Sequence, residues 1–375
     1  MDSEVIIVGS GATAVHLAQT LVEAHRKVLM LDVGVINSQK STFTNRDLEE
    51  KQNFTELRQT DPDQYKYFLG GELESVKWEP IGIGAQLTPA RKYMLDKVDE
   101  LIPNKSDIFS PYESLANGGL GVGWGAGCYE FSSAELMRCG LDVDELQKAY
   151  KVVSERIGIS TPGADIKKFT ANSFEPSENQ VQMTKLFQSV LKSYDNNRQI
   201  LNKNNFYLGA SSLALLSKDR LGRKAHAYRE MEFYNDIEKS VYRPWMTLEQ
   251  LKARSNFTYV SNVLVTSFKE TSDRVEIFGV DIKSKEKLNF SAKILSLAAG
   301  TLGSARIVLR STLYEEELPL LCNKYSYYPS LSLPNVGKSM DRHSLALSQL
   351  MMFHQNQGRD DDIATASLYS YKSLM

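Results

Sequence analysis

The first apolar run in the chain is continuous rather than alternating. Val5, Ile6, Ile7 and Val8 follow one another with no polar position between them, the pattern of a strand covered on both faces. Gly9-Ser10-Gly11-Ala12-Thr13-Ala14 interrupts it, and Ala14, Val15, Leu17, Ala18, Leu21 and Val22 then recur at the three- and four-residue spacing of a helix. A second run, Val28-Leu29-Met30-Leu31, ends at Asp32. Strand, helix and strand over about thirty residues predict a βαβ unit with parallel strands.

Polarity rises over residues 35–80, which read as an insertion with short helices near Asp47–Leu57 and Asp63–Phe68. Residues 112–131 are glycine-rich, and six of the chain's 23 glycines lie between 118 and 127. That density is too high for a regular helix or strand. Helical spacing returns at 143–157 (Val143, Leu146, Ala149, Tyr150, Val153) and at 179–195. From Phe257 onward, Thr258-Tyr259-Val260, Val263-Leu264-Val265 and Val275–Val280 read as antiparallel strands. A further strand, Ile294 to Leu297, ends in Ala298-Ala299-Gly300, and a helix is expected at Ser304–Arg310. No repeat or low-complexity tract is present.

Composition narrows the function classes. A length of 375 residues suggests two to three domains, and 42% hydrophobic against 24% charged residues supports a sizeable core. Lys and Arg number 44 against 46 Asp and Glu, a net charge of -2, so no basic surplus points to nucleic acid. Cys128, Cys139 and Cys322 form no Cys-x-x-Cys pair, and the five histidines form no His-Glu-x-x-His; neither a disulfide framework nor a metal site is expected. The N-terminus has no basic segment followed by a long apolar one, and no apolar run approaches the ~20 residues of a membrane span. The expectation is a soluble, cytoplasmic protein.

Gly9-x-Gly11-x-x-Ala14 with Asp32 is the first motif with chemistry. Gly9 permits a tight strand-to-helix turn, Gly11 lets a pyrophosphate approach the backbone, and Ala14 allows the helix to pack on the strand. The helix start offers N–H groups and a positive dipole end, and Asp32 can accept from ribose hydroxyls. Strand, helix and acid agree on a dinucleotide site rather than a plain strand-to-helix turn with incidental glycines. The acid disfavours a 2′-phosphate, leaving FAD or NAD ahead of NADP. A second motif, Ala292 to Arg306 around Ala299-Gly300, offers small residues where another backbone stretch can approach a dinucleotide.

Four stretches together resemble the glucose–methanol–choline (GMC) family of flavoprotein oxidoreductases. They are Val5 to Ala12 with Leu31-Asp32-Val33-Gly34, the run Ser114 to Gly127, Leu297 to Ser304, and Asn335-Val336-Gly337 through Asp341-Arg342-His343. The run at 114–127 is most similar to bacterial members of sugar and polysaccharide pathways. The resemblance implies FAD held by Gly9, Gly11, Ala12 and Ala14 at the pyrophosphate and by Asp32 at the adenosine ribose. It implies the isoalloxazine ring along Asn117, Gly118, Gly119, Gly123, Trp124 and Gly125, the adenine at the backbone of Val265, and Ala299 and Gly300 near the ribose and phosphates. Departures are Thr13-Ala14 for the family's usual Ala-Gly, Asp32 for its usual glutamate, and Arg342 between Asp341 and His343. The family also carries a C-terminal segment with the active-site histidine, its His or Asn partner and a final strand and helix. This chain stops at Met375 with no His-x-x-Gly-Thr-like stretch, so it is expected to be a fragment or to have lost oxidation chemistry.

The implied fold class is α/β: a Rossmann-like FAD-binding domain from 1–40, 80–135 and 255–345, and a second, mixed-sheet substrate domain from 136–254 and 346–375. The implied activity is oxidation of a CH–OH group on a sugar or sugar-like alcohol, with hydride transfer to flavin N5 and an unidentified electron acceptor. His343 is the candidate base for the hydroxyl proton, although its place in the family motif looks structural. His16, His25 and His226 read as surface or packing residues, and Cys128 as a small buried residue. Two alternatives stay open: a catalytically inactive or truncated flavin- or nucleotide-binding protein, and an NAD-dependent dehydrogenase.

Overall fold

The computed structural model describes residues 2–36, 91–228, 239–322 and 345–369, except 92, 108, 110, 346, 358, 360 and 361, together with 326, 328, 330, 332 and 333. The insertion from residue 37 onward, with its two expected helices around Asp47–Leu57 and Asp63–Phe68, lies outside the described residues.

The elements that position the site are, in chain order, β1 (Asp2–Val8), α1 (Ala12–Glu23), β2 (Val28–Leu31), α2 (Val143–Ile157), α3 (Lys185–Lys203), β3 (Phe206–Ala210), α4 (Pro244–Lys252), β4 (Phe257–Val260), β5 (Val263–Glu270), β6 (Val275–Asp281), β7 (Lys287–Leu297), α5 (Gly300–Thr312), β8 (Leu350–Gln355) and β9 (Ile363–Leu368). Among the described residues they form two sheets, a six-stranded one ordered β4-β2-β1-β7-β6-β5 and a three-stranded one ordered β3-β8-β9.

In the larger sheet β4, β2, β1 and β7 run parallel. The last residues of these strands pair with one another, Val8 with Leu31, Val8 with Leu297 and Leu31 with Val260, so the four strands end level. β7 serves two partners: its first half is antiparallel to β6 and its second half parallel to β1. The continuous apolar run of β1 now has its reason. Val5 and Ile7 face Ala14, Val15, Ala18 and Val22 of α1 and Leu248 and Leu251 of α4. Ile6 and Val8 share the opposite core with Val263 and Val265 of β5, Ile277 of β6 and Ile307 of α5. Each such fully buried side chain is worth about 2 kcal/mol, and a charge at any of the four positions would open one of the two cores.

The smaller sheet is antiparallel throughout. Leu208 of β3 and Leu350 of β8 pack on Phe187 and Tyr194 of α3. The helix expected at 143–157 coincides with α2, capped by the Asp142 carboxylate accepting from Glu145 N–H at 2.9 Å. The one expected at 179–195 lies instead at 185–203. Residues 178–184 are used otherwise: Glu178 N–H bonds Ile159 O at 3.1 Å and Thr184 N–H bonds Gln349 Oε1 at 2.8 Å. The helix expected at Ser304–Arg310 begins earlier, at Gly300, directly off the end of β7. Among the described residues no helix is long and apolar enough to cross a membrane.

Candidate functional site

The level ends of β4, β2, β1 and β7 make the edge at which open α/β sheets bind ligands. Gly9 leaves β1 with φ +102°, and its N–H bonds Leu31 O at 2.8 Å. A Cβ at Gly9 would run into the Ala298 carbonyl. The Ala298 N–H in turn donates to Val8 O at 2.9 Å, so the turn after β1 and the end of β7 touch backbone to backbone. Ala14 is fully buried where α1 packs on the sheet, while Ala12 stands exposed in the helix's first turn.

Gly11 caps α1 and Gly300 opens α5 at φ +76°. A Cβ at either would meet no atom of the described residues within 4 Å. Among the described residues neither helix has a side-chain cap, and neither has an acidic residue in its first turn, so no described side chain offsets their positive dipole ends beside β1 and β7. Ala299, between the strand and α5, has its N–H on Ser304 Oγ at 3.2 Å.

The second glycine run reaches the same edge through the chain that leaves β2. Val35 N–H bonds Leu115 O at 2.8 Å and Asn117 N–H bonds Val35 O at 2.9 Å. Gly118 and Gly119 turn there with φ +100° and +57°. The Cβ position of Gly119 lies 3.4 Å from Gly11 Cα, and Gly118 N–H donates to Ser10 Oγ at 2.9 Å. Asn117 Oδ1 is buried with no hydrogen-bond partner among the described residues, a costly state that a donor from a ligand would relieve. The following glycines are backed by protein: a Cβ at Gly121 would lie 2.5 Å from Pro244 Cγ, and one at Gly123 2.7 Å from Met94 Sδ. A Cβ at Gly125 would sit 3.6 Å from the Tyr369 hydroxyl. Trp124 is partly buried against the core that holds Phe169 and Phe353, and its Nε1–H donates to Tyr242 O at 2.8 Å.

Asp32 is buried at the end of β2. Its Oδ2 accepts from the Ser10 hydroxyl and, at 3.0 Å, from the Tyr259 hydroxyl. Burial pushes this acid up to about 6 even though the two hydroxyls favour its charge. Burial and the Asp32 charge together push the Tyr259 phenol up, so it stays protonated. Val263 N–H bonds Asp32 O and Asn262 N–H bonds Val33 O, each at 3.0 Å. This corner leads into β5, where Val265 is buried and pairs with Gly279 next to a β-bulge.

Gly9, Gly11, Ala12, Ala14, Asp32, Asn117, Gly118, Gly119, Ala299 and Gly300 are therefore brought to one edge. Gly123, Trp124 and Gly125 lie further along the second run, and Val265 sits in the core beyond the β4–β5 corner. His343 lies outside the described residues. His354 packs on Phe206 in the second sheet, with ring centroids 4.3 Å apart. His16 stacks on Tyr242, and burial, aided by the Arg156 charge, lowers it to about 4, so it is neutral at physiological pH. Among the described residues no group of three or more His, Cys, Asp or Glu could hold a metal ion. Ser10 and Tyr259 were not picked out from the sequence. Ser10 lies inside the Gly-x-Gly turn, where its polarity was a usable signal; the nearness of Tyr259 to Asp32 depends on the β2–β4 register and has no local sequence sign.

No family model matches the chain, and no curated protein does. Among solved structures it is similar to pyridoxine 4-oxidase from Mesorbium loti, at 15% identity and a TM-score of 0.43, over 82% of this chain and 52% of that one. The chain thus spans about half the length of that protein.

Proposed function

We propose that this chain binds FAD across the edge described above and acts as an FAD-dependent oxidoreductase on a CH–OH group of a sugar or sugar-like alcohol. The observation that carries the reading is the meeting of two glycine turns at one helix start, where among the described residues no atom lies within 4 Å of a Cβ at Gly11 or at Gly300 and the buried Asn117 Oδ1 has no hydrogen-bond partner. These residues fit a dinucleotide: bare backbone and two uncapped helix starts suit a pyrophosphate, and the Asn117 carbonyl suits a donor group.

In this reading Gly11 and the first turn of α1 hold the pyrophosphate. Ala299 and Gly300 flank it from the β7 side, and Asn117 to Gly125 lie along the ring system. Asp32 and its partners fix the adenosine end, and the backbone of Val265 meets the adenine. When bound, the flavin supplies a hydride acceptor at N5. The chain's residues orient the ring and exclude water, and His343 is the proposed group that takes the hydroxyl proton. Residues 1–40, 80–135 and 255–345 form the cofactor unit and 136–254 with 346–375 the substrate unit of a cytoplasmic enzyme.

The visible spectrum of the purified chain tests this. Flavin absorption bands that bleach when a sugar or alcohol is added without oxygen support the oxidoreductase. Flavin that binds and never bleaches returns the chain to an inactive binder. A colourless protein that binds NADH replaces the flavin reading with an NAD-dependent dehydrogenase.

A further inference from the structure

Ser10, between Gly9 and Gly11, is buried, and its hydroxyl joins the two glycine-rich stretches. It donates to Asp32 Oδ2 and accepts from the Gly118 N–H at 2.9 Å. Gly118 lies 108 positions further along the chain and stands at φ +100° in the second turn. The three groups form a one-way chain, from the Gly118 N–H through the Ser10 hydroxyl to the Asp32 carboxyl. Hydrogen bonds in such a chain polarise one another, so donation to an ionised Asp32 makes Ser10 Oγ a stronger acceptor.

The two turns depend on that hydroxyl unequally. The first has other ties: Gly9 N–H bonds Leu31 O at 2.8 Å, Val15 N–H bonds Gly11 O at 3.0 Å and Ala298 N–H bonds Val8 O at 2.9 Å. In the second, Asn117 N–H bonds Val35 O at 2.9 Å and Gly119 N–H bonds Ala116 O at 2.8 Å, but the buried N–H between them goes to Ser10. The turn is also closely framed. A Cβ at Gly118 would lie 3.1 Å from Val122 Cγ2 and 3.3 Å from Trp245 N, and one at Gly119 3.4 Å from Gly11 Cα. Without the hydroxyl, a turn seated in this place holds a buried N–H with no acceptor, a cost that unseating the turn relieves.

We propose that Ser10 is a positioning residue whose hydroxyl, oriented by Asp32, seats the Gly118–Gly119 turn on Gly11 and so sets where the flavin ring lies relative to the pyrophosphate. The two halves of one ligand are gripped by two turns, and a single side chain holds those turns in register. This rests on the dinucleotide reading above.

Calorimetric titration of the full chain with FAD and with ADP tests it. ADP is the half of FAD assigned to the first turn and Asp32, so damage confined there weakens both ligands alike and leaves their affinity ratio unchanged. In Ser10→Ala the ratio of FAD to ADP affinity should fall at least about fivefold, because only FAD has to reseat the second turn around an N–H without an acceptor. Ser10→Cys keeps a weakly accepting sulfur and should fall between, and it carries the test if the alanine chain does not fold. An unchanged ratio in the folded variant overturns the proposal while leaving the dinucleotide reading intact. A wild type that does not bind FAD overturns both. Hydrogen exchange of the unliganded chains gives a second readout. Residues 117–119 should exchange faster in the variant than in wild type while α1 keeps its protection, and equal exchange at 117–119 refutes the seating role.

Discussion

Two glycine-rich stretches meet at the ends of β1 and β2 and use the missing side chain in different ways. In the first, Gly9 is closed off by protein, since a Cβ would strike the Ala298 carbonyl, and Gly11 two residues later has no atom of the described residues within 4 Å of its Cβ position. In the second, Gly118 and Gly119 make a left-handed turn onto Gly11, and Gly121 and Gly123 make room for Pro244 and Met94 behind the run. A glycine count alone therefore says little about a ligand. Some of these glycines let the backbone pack on itself, and only those with open space in front of them can receive another molecule.

Substitution by alanine should separate these classes. Gly9→Ala combines a positive φ with a backbone clash, and is expected to cost about 4 kcal/mol or more or to prevent folding, as read by urea denaturation.

The first stretch leans on a buried acid, Asp32, through Ser10, whereas the second leans on two buried arginines, Arg91 and Arg243, which donate to Val122 O and Trp124 O. Asp32 stands at about 6 in the fold against an ordinary 3.8. Its contribution to stability is therefore full below pH 3.8 and lost as pH rises through about 6, a change of about 3 kcal/mol. His16 on α1 runs the other way. It stands at about 4 against 6.5, so its contribution is present above pH 6.5 and lost as pH falls toward 4, again by about 3 kcal/mol. Between pH 4 and 6 the two slopes oppose each other. Asp32→Asn should leave a protein that gains stability with rising pH across that window, and His16→Gln one that loses it. Urea midpoints at pH 4, 5 and 6 read both signs.

Gly121→Ala pushes a methyl onto the Pro244 ring and is expected to cost about 2 kcal/mol by overpacking, without a specific effect on ligand. Gly11→Ala should be the mildest for the fold, within about 1 kcal/mol in the same denaturation. It should still weaken FAD binding at least tenfold in a fluorescence titration, because the methyl occupies the pyrophosphate's approach. A Gly11→Ala chain that binds FAD like wild type would erase the distinction between the two stretches.

The βαβ unit was legible because each of its signals is local: an unbroken apolar run, a Gly-x-Gly turn, a helical period and a terminal acid. Helix 143–157 was legible for the same reason. The end of α3 was not, because only Phe187 and Tyr194 of that helix are buried, and its polar second half carries no apolar period. The composition of the site was only half visible. Gly9, Gly11 and Asp32 sit within one motif, but the seating of Gly119 on Gly11, of Ala298 on Gly9 and of Tyr259 on Asp32 joins residues 108, 289 and 227 positions apart in the chain. Parallel register decides those meetings, and no pattern in either segment encodes it. The same holds for Gly121 and Gly123, whose reasons are Pro244 and Met94 rather than anything in the run itself.

Hydrogen exchange with and without FAD tests the central claim most directly. The account predicts slower exchange on adding FAD at residues 9–14, 32–35, 117–119 and 298–301, four separate stretches that meet only at this edge. No change there, or protection confined to β3, β8 and β9, would contradict it.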